Sequence, residues 1–207
     1  MENKTLTELF EDYGFFTRNQ INTCIPAIVD KFDSDNLTVD AKPAIRFYFD
    51  DVKTEYPLIP DIPVYFMGSE DFFITHQIQK GQECMLFFCQ REIDEWIEAG
   101  GIADSTKGIL HPLSSAWALF GVRSKAKKIE SYDNQGMVIR NKAKNVSIHL
   151  KENSIDIDSP TLNINSNVVI NGSVDISGST ILSGNVTSNG KDISDTHTHD
   201  SITGLPV

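Results

Sequence analysis

Two histidines near the end of the chain have the spacing of paired metal ligands. His197 and His199 are separated by one residue, so in an extended chain both side chains project from the same side. One chain would make a poor two-ligand site, whereas copies around a three-fold axis would build an octahedral cage of imidazole nitrogens. Imidazole suits iron, nickel, copper and zinc alike, although six-coordination disfavours zinc. The alternative is a pair of solvated histidines at a frayed end, and the choice depends on the segment that precedes them.

That preceding segment, residues 146–190, is a tandem repeat of very short strands. Each unit carries two aliphatic residues at i and i+2, which lie on one face of a strand. Glycine then recurs every six residues, in Asn-Gly and Ser-Gly pairs that favour tight turns with positive φ. The pairs are Ile148/Leu150, Ile155/Ile157, Leu162/Ile164, Val168/Ile170 and Val174/Ile176, continued by Thr180/Leu182 and Val186/Ser188; the glycines are Gly172, Gly178, Gly184 and Gly190. The pattern predicts strands with one aliphatic and one polar face.

A single copy of this array lacks the core that it needs to fold alone. Residues 133–207 contain no Phe, Tyr, Trp or Cys. Burying a Val or Ile contributes about 1.5–3 kcal/mol, whereas fixing the backbone costs roughly 1–2 kcal/mol for every residue. A one-chain parallel β-helix of this length would have few coils and two open ends. Three chains wound about a common axis would supply the missing strand partners, so we predict an intertwined, triple-stranded β-helix in a homotrimer.

The globular core must lie before the repeats, because all twelve Phe, both Trp and all three Cys precede Gly121. Short apolar strands separated by turn signals fill residues 21–122, which favours an all-β fold with a small Greek-key barrel of the OB type. Three prolines confine Tyr56–Pro63 to a loop or an edge. The predicted strands are Cys24–Phe32 and Leu37–Ala41, a hairpin around Asp33–Asn36, then Ala44–Phe49, Val64–Met67, Phe72–Thr75, Cys84–Cys89 and a last strand within Leu110–Val122. Ile93–Ala99 is expected to form one or two helical turns.

Residues 1–20 are expected to form an N-terminal arm. Apolar residues recur there at roughly helical spacing, with Thr5 or Thr7 as the N-cap and Gly14 as the stop. The arm would pack on the body or on a neighbour. Acidic residues occupy the place where a signal peptide needs an apolar core, and no apolar run approaches the ~20 residues of a spanning helix.

Charge is distributed unevenly along the chain. Residues 1–122 carry a net charge of −11, residues 123–150 carry +5 and residues 151–207 carry −5. The overall acidity argues against nucleic-acid binding, which needs phosphate-neutralising Lys and Arg. The basic segment is either a solvated neck or a docking surface for an acidic partner. Cys24, Cys84 and Cys89 are odd in number and lie among apolar residues, so buried, reduced thiols are expected.

Several ordered sequence blocks resemble a known family. Together they are similar to the N-terminal OB domain and the tip of the membrane-puncturing baseplate spikes of contractile-tailed bacteriophages. The blocks are Cys24-Ile25-Pro26-Ala27-Ile28-Val29, Lys42-Pro43-Ala44-Ile45-Arg46, Lys80-Gly81-Gln82-Glu83-Cys84, Glu92-Ile93-Asp94-Glu95-Trp96 with Gly100-Gly101, His111-Pro112-Leu113-Ser114 with Ala116, Gly121-Val122-Arg123-Ser124, and Gly190-Lys191-Asp192-Ile193 with Thr196-His197-Thr198-His199.

The resemblance implies a homotrimeric spike that docks on the phage baseplate hub through its OB domain. Its contact with the bacterial outer membrane would be mechanical. It implies that His197 and His199 of three chains hold one iron ion. The expected domains are an arm at 1–20, an OB-fold domain at 21–122, a basic neck at 123–145, a trimeric β-helix shaft at 146–190 and a metal-binding tip at 191–207. Its expected location is the tail baseplate of the virion, after assembly in the host cytoplasm without a signal peptide.

Two other functions compete with a non-enzymatic spike. A hexapeptide-repeat acyltransferase would carry one aliphatic residue per unit over many more repeats than this chain has. A trimeric receptor-binding fibre or adhesin would end in an aromatic-rich head, whereas the residues after Gly190 contain no aromatic ring other than histidine. Some phage spikes carry a lysozyme domain inserted between the barrel and the shaft. Residues 92–122 are too few for such a domain and show no catalytic carboxylate pair. We therefore expect no enzymatic activity.

Overall fold

Strands dominate the architecture. The computed structural model describes residues 5–19, 21–49 and 51–193, and the chain divides into two compact units, 1–132 and 133–207. The all-β fold class is thereby confirmed, and no helix in the described ranges has the length and apolarity to cross a bilayer. The elements are α1 Leu6–Asn19, β1 Cys24–Asp33, β2 Thr38–Pro43, β3 Arg46–Phe49, β4 Val52–Glu55, β5 Ile59–Pro63, β6 Met67–Gly68, β7 Phe73–Ile74, β8 Glu83–Phe88, α2 Asp94–Ala99, β9 Ala116–Leu119, a 3-10 turn Lys125–Lys127, β10 Met137–Arg140, β11 Ser147–Leu150, β12 Ile155–Asp158, β13 Thr187–Ser188 and β14 Lys191–Asp192.

The first unit is built on a curled five-stranded sheet. Its order is β5-β2-β1-β8-β9, with every neighbouring pair antiparallel. A parallel bridge between Val64 and Ala118 joins the two edges, and the N–H of Tyr65 donates to the carbonyl of Ala118 at 3.0 Å. This connection curls the sheet into the small Greek-key barrel that the sequence predicts.

The barrel interior is filled by alternate residues of four strands and by Ile59 and Ile62 of the irregular strand β5. Side chains at i and i+2 point to the same face of a strand, and each strand contributes residues that are at most a few per cent exposed. The buried strand residues are Ala27, Val29, Val39, Ala41, Ile59, Ile62, Cys84, Leu86, Ala116 and Ala118, joined by Val64 and Ile78. The core is therefore small and aliphatic, with the aromatic rings at its margin.

The β1–β2 hairpin forms where the sequence predicts it. The Asp33 carboxylate accepts the N–H groups of Asp35 at 2.9 Å and Asn36 at 3.2 Å, and Leu37 takes a φ of 56°. These backbone hydrogen bonds lower the pKa of Asp33. An Asp at the start of a turn thus supplies the partners that its backbone needs.

The strands between residues 44 and 67 follow the sequence prediction only in part. Arg46–Phe49 is a strand, as predicted, but it pairs with Val52–Glu55 in a separate two-stranded ribbon. The predicted strand Val64–Met67 is wrong, because only its last residue lies in a strand and Val64 forms an isolated bridge. The proline-containing Ile59–Pro63 is an edge strand of the barrel sheet, one of the two outcomes predicted for this segment. Its pairing with β2 is interrupted between Val39 and Ala41, and there the N–H of Asp61 donates to the Asp40 carboxylate at 3.1 Å. The irregular register removes the need for a donor at Pro60, so a proline fits in this edge strand.

The N-terminal helix confirms its predicted cap but not its predicted stop. The Thr5 hydroxyl accepts the N–H of Glu8 at 3.3 Å, and the Glu8 carboxylate accepts the N–H of Thr5 at 2.6 Å, which is a capping box. Helix α1 continues through Gly14 to Asn19. A glycine inside a helix costs only about 1 kcal/mol, so it does not by itself end one.

The thiols differ from one another in burial. Cys84 is buried, which raises the pKa of its thiol to about 11. Cys89 is half-buried and accepts the indole N–H of Trp117 at 3.1 Å. Cys24, in contrast, is exposed, so the expectation of three buried thiols is wrong at that position.

The second unit contains less strand than its repeats predict. Strands β10, β11 and β12 form an antiparallel meander, and β13 pairs with β14. Between Asp158 and Thr187, all within the described range 51–193, no strand is assigned. Of the repeat glycines, Gly184 and Gly190 take positive φ, at 111° and 77°, whereas the turn prediction does not hold at Gly172 and Gly178. Strands are defined by ladder hydrogen bonds, and this segment finds no ladder partner among the described residues of its own chain.

Candidate functional site

The predicted metal ligands His197 and His199 lie outside the described residues. The description ends at Ile193, just after the β13–β14 hairpin. That hairpin turns through Asn189 and Gly190, both with positive φ, and the N–H of Ile193 donates to the carbonyl of Val186 at 2.7 Å. Asn-Gly is the preferred pair for a two-residue hairpin turn. No cluster of three or more His, Cys, Asp or Glu side chains suited to a metal ion occurs within residues 5–19, 21–49 and 51–193.

The β10–β12 meander presents one entirely aliphatic face. The register aligns Ile139, Ile148 and Ile157 in one row and Met137, Leu150 and Ile155 in the next. These side chains are exposed by between 40% and 68%. Six large aliphatic side chains on one face of a sheet, with so much surface left open, form an interaction surface rather than a finished core.

The opposite face of the meander is polar. The Lys151 ammonium lies 2.6 Å from the Asp156 carboxylate, which lowers the pKa of Asp156 and raises that of Lys151. His149 lies on this outer face, as its place between Ile148 and Leu150 predicts. Its side chain is only 14% exposed, however, with Nε2 at 3.5 Å from the Asp133 carboxylate, so the imidazole is largely shielded from solvent although it lies on the polar face. The backbone of Gly136 approaches this ring closely and helps to cover it.

Residues 159–186 continue the aliphatic surface. Seven paired aliphatic side chains share a narrow range of exposure, from 58% to 66%, and an eighth, Val186, is half-buried, whereas the two aliphatic residues outside the pairs, Val169 and Ile181, are 82% and 91% exposed. The paired side chains are Leu162, Ile164, Val168, Ile170, Val174, Ile176 and Leu182. The residues outside the pairs are therefore more exposed than the paired residues, as expected if the two sets lie on opposite faces. In the described chain, nothing covers the paired face.

The start of the basic segment is anchored to the barrel. The Glu83 carboxylate accepts both the N–H and the hydroxyl of Ser124, each at 2.9 Å. These hydrogen bonds lower the pKa of Glu83. Lys127 donates to the carbonyl of Gly81 at 2.9 Å and lies 3.8 Å from Glu83. The first residues after the last barrel strand are thus tied to the first unit, although the side chains of this segment remain exposed.

Sequence reasoning missed two aromatic surfaces of the first unit. The β3–β4 ribbon exposes Tyr48 and Phe49, with the Lys53 ammonium 5.9 Å from the centre of the Tyr48 ring. The short β6–β7 ribbon exposes Phe72 and Phe73. The signal was an aromatic run in Arg46–Phe49, followed by an acidic turn and Val52–Glu55, which predicts a hairpin with aromatic residues on its first arm and charged residues on both.

The comparison with protein families gives one match. Residues 25–121, just under half of the chain, match the family described as "Phage protein Gp138 N-terminal domain". The matched range begins in β1 and ends just after β9, so it contains the whole five-stranded barrel. No curated protein matches the chain. Over its barrel the chain is therefore similar to the Gp138 N-terminal domain, and this similarity supports a phage structural protein.

Proposed function

We propose that this protein is the cell-envelope-piercing spike of a contractile phage tail, and that it works as a homotrimer without enzymatic activity. Three chains would braid residues 146–190 into a triple-stranded β-helix. The barrel would join the spike to the baseplate hub, and sheath contraction would drive the shaft through the bacterial outer membrane. The spike would belong to the baseplate of the virion and would be assembled in the host cytoplasm.

The uncovered aliphatic face of residues 137–182 carries the proposal. Burying one Val, Leu or Ile contributes about 1.5–3 kcal/mol, and this face presents more than ten such side chains to solvent. The same residues lack strand partners between Asp158 and Thr187 in the described chain. A three-fold braid supplies both needs at once, because each chain covers the aliphatic face of the others and completes their backbone ladders.

The mechanical role follows from this arrangement. A shaft whose backbone groups are held in continuous ladders, around a dry aliphatic axis, would resist bending. Penetration needs a stiff, pre-formed rod and a narrow end, and neither requires a catalytic group. The family match is compatible with a structural role in the tail or baseplate.

The resemblance to spike tips extends the proposal to the end of the chain. His197 and His199 of three chains would hold one iron ion on the axis. The metal would tie together three chain ends that would otherwise splay. Neutral imidazole is the ligating form, so retention of the ion would depend on pH.

A phage that carries a shaft variant tests the function. Ile176→Asp places a charge on the aliphatic face, whereas the matched control Ser177→Asp places the same charge on the neighbouring position, which faces the other way. For a spike, we expect Ile176→Asp particles to adsorb to the host normally but to lose DNA delivery. The control should retain both. Loss of adsorption with Ile176→Asp would instead favour a receptor-binding fibre, and unchanged infectivity would contradict the proposal.

A further inference from the structure

The first unit has a groove beside the β3–β4 ribbon that combines an apolar floor with cationic walls. Its volume is about 550 Å³. Pro43, Ala44, Ile45 and Tyr48 form the apolar part of the lining, and the charged side chains are Lys42, Arg46, Lys53 and Glu55. Glu55 lies 2.6 Å from Lys42 and 3.0 Å from Arg46, which leaves the groove with an excess of two positive charges.

Helix α1 has the complementary character. Leu6, Leu9, Phe10 and Tyr13 recur at helical spacing and share one face, yet these side chains are exposed by between 52% and 70%. The helix also carries Glu8, Glu11 and Asp12 against a single Arg18, so its net charge is −2. A helix of this length is marginal in water unless its apolar face is packed against something.

We propose that helix α1 of one copy docks in the Lys42–Glu55 groove of a neighbouring copy. The match is an acidic amphipathic helix in an apolar, cationic groove, which is a recurring mode of peptide recognition. Helix and groove belong to the same unit, yet within one chain the apolar face of the helix remains exposed and does not occupy the groove. We therefore assign the contact to the groove of a second copy. The inference rests on the proposed trimer, which supplies that copy.

The chain that follows helix α1 enters the barrel beside one end of the groove. The N–H of Ala44 in the groove donates to the carbonyl of Pro26 at 2.7 Å, and Pro26 lies near the start of β1. Helix α1 ends at Asn19 and β1 begins at Cys24, so a short connection leads from the helix to the groove end of the barrel. The connection from the helix therefore enters the barrel beside one end of the groove.

Site-directed disulfide formation between differently tagged chains tests the docking. Both full-length chains carry Cys24→Ser, which removes the exposed native thiol. One also carries Phe10→Cys and the other Tyr48→Cys, and they are co-expressed and oxidised with diamide. We expect a disulfide that joins the two tagged chains. The matched control replaces Phe10→Cys by Phe15→Cys, an exposed position on the opposite side of the helix, and the cross-linked band should be lost.

Three cross-linking results would overturn the docking alone. The mass of the native oligomer, measured on the same protein, shows whether the proposed trimer also fails. If Phe10→Cys and Tyr48→Cys are placed in one chain and form a disulfide within that chain, the helix lies in its own groove. Phe10→Cys chains that cross-link to one another would indicate a bundle of α1 helices. No cross-link in a protein that keeps a trimeric mass would remove the docking but leave the spike standing. A monomeric mass would overturn both proposals.

Discussion

At the scale of single residues, the contact between Glu83 and Ser124 holds the start of the basic segment against the barrel. The carboxylate accepts two hydrogen bonds from Ser124, and its lowered pKa means that the folded state favours the charged form. The contact therefore contributes stability above the ordinary pKa of 4.5, and this contribution is lost as the pH falls through the lower folded value.

Glu83→Gln tests that contact. We expect the variant to melt at a lower temperature than the natural protein at neutral pH, with the difference shrinking as the pH falls below about 4.5. Tryptophan fluorescence is a suitable readout, because Trp96 and Trp117 both lie in the first unit. Glu98→Gln, an exposed carboxyl in α2, is the control and should change little. A difference that persists unchanged at acidic pH would contradict the assignment.

His197 and His199 carry the metal prediction. We expect the purified protein to contain about one iron ion per three chains by elemental analysis, and His197→Ala with His199→Ala to abolish it. His76→Ala, which removes an exposed histidine of the first unit, should leave the metal content unchanged. Metal should also be retained less well below the ordinary histidine pKa of about 6.5, because the ligating imidazoles must be neutral. An unchanged iron ratio in the double variant would refute the cage.

At the scale of elements, the barrel depends on the inward side of β8. Leu86 is fully buried, whereas its neighbour Phe87 points outward and remains partly exposed. We expect Leu86→Ala to lower the free energy of unfolding of the first unit by about 2–5 kcal/mol. Phe87→Ala should cost less, although it removes a larger side chain. Denaturant unfolding followed by tryptophan fluorescence gives the comparison, and an equal or greater loss for Phe87→Ala would contradict the assigned faces.

The elements that the sequence predicts correctly are those with a local cause. Asp33 fixes a hairpin through its own side chain, and Thr5 caps a helix through Glu8. The elements that it misplaces depend on distant partners. The prolines of Ile59–Pro63 restrict this segment to a loop or an edge, but its pairing with β2, which is interrupted where Pro60 falls, is not visible in a local pattern.

The same distinction applies to single residues in the candidate site. His149 is correctly placed on the outer face by the period of two, but its burial depends on Asp133 and on the approach of Gly136. The aliphatic pairs of the repeats were visible in the sequence, and their shared exposure agrees with one common face. Nothing in the described part of one chain covers that face, and the proposed trimer would cover it with identical chains.

At the scale of the whole molecule, the two units differ in how complete they are. The first has a closed sheet and a buried core. In the second, most of the large aliphatic side chains of the described residues remain exposed and the repeats from Asp158 to Thr187 form no strand. In the proposed trimer, identical chains would cover this open apolar face.

Native mass spectrometry or sedimentation equilibrium of the unmodified, full-length protein tests the central claim directly. Three identical chains per particle, persisting on dilution, is the result that the account predicts. A folded monomer with residues 159–186 protected from hydrogen exchange would contradict it, because the repeats would then find their partners within one chain.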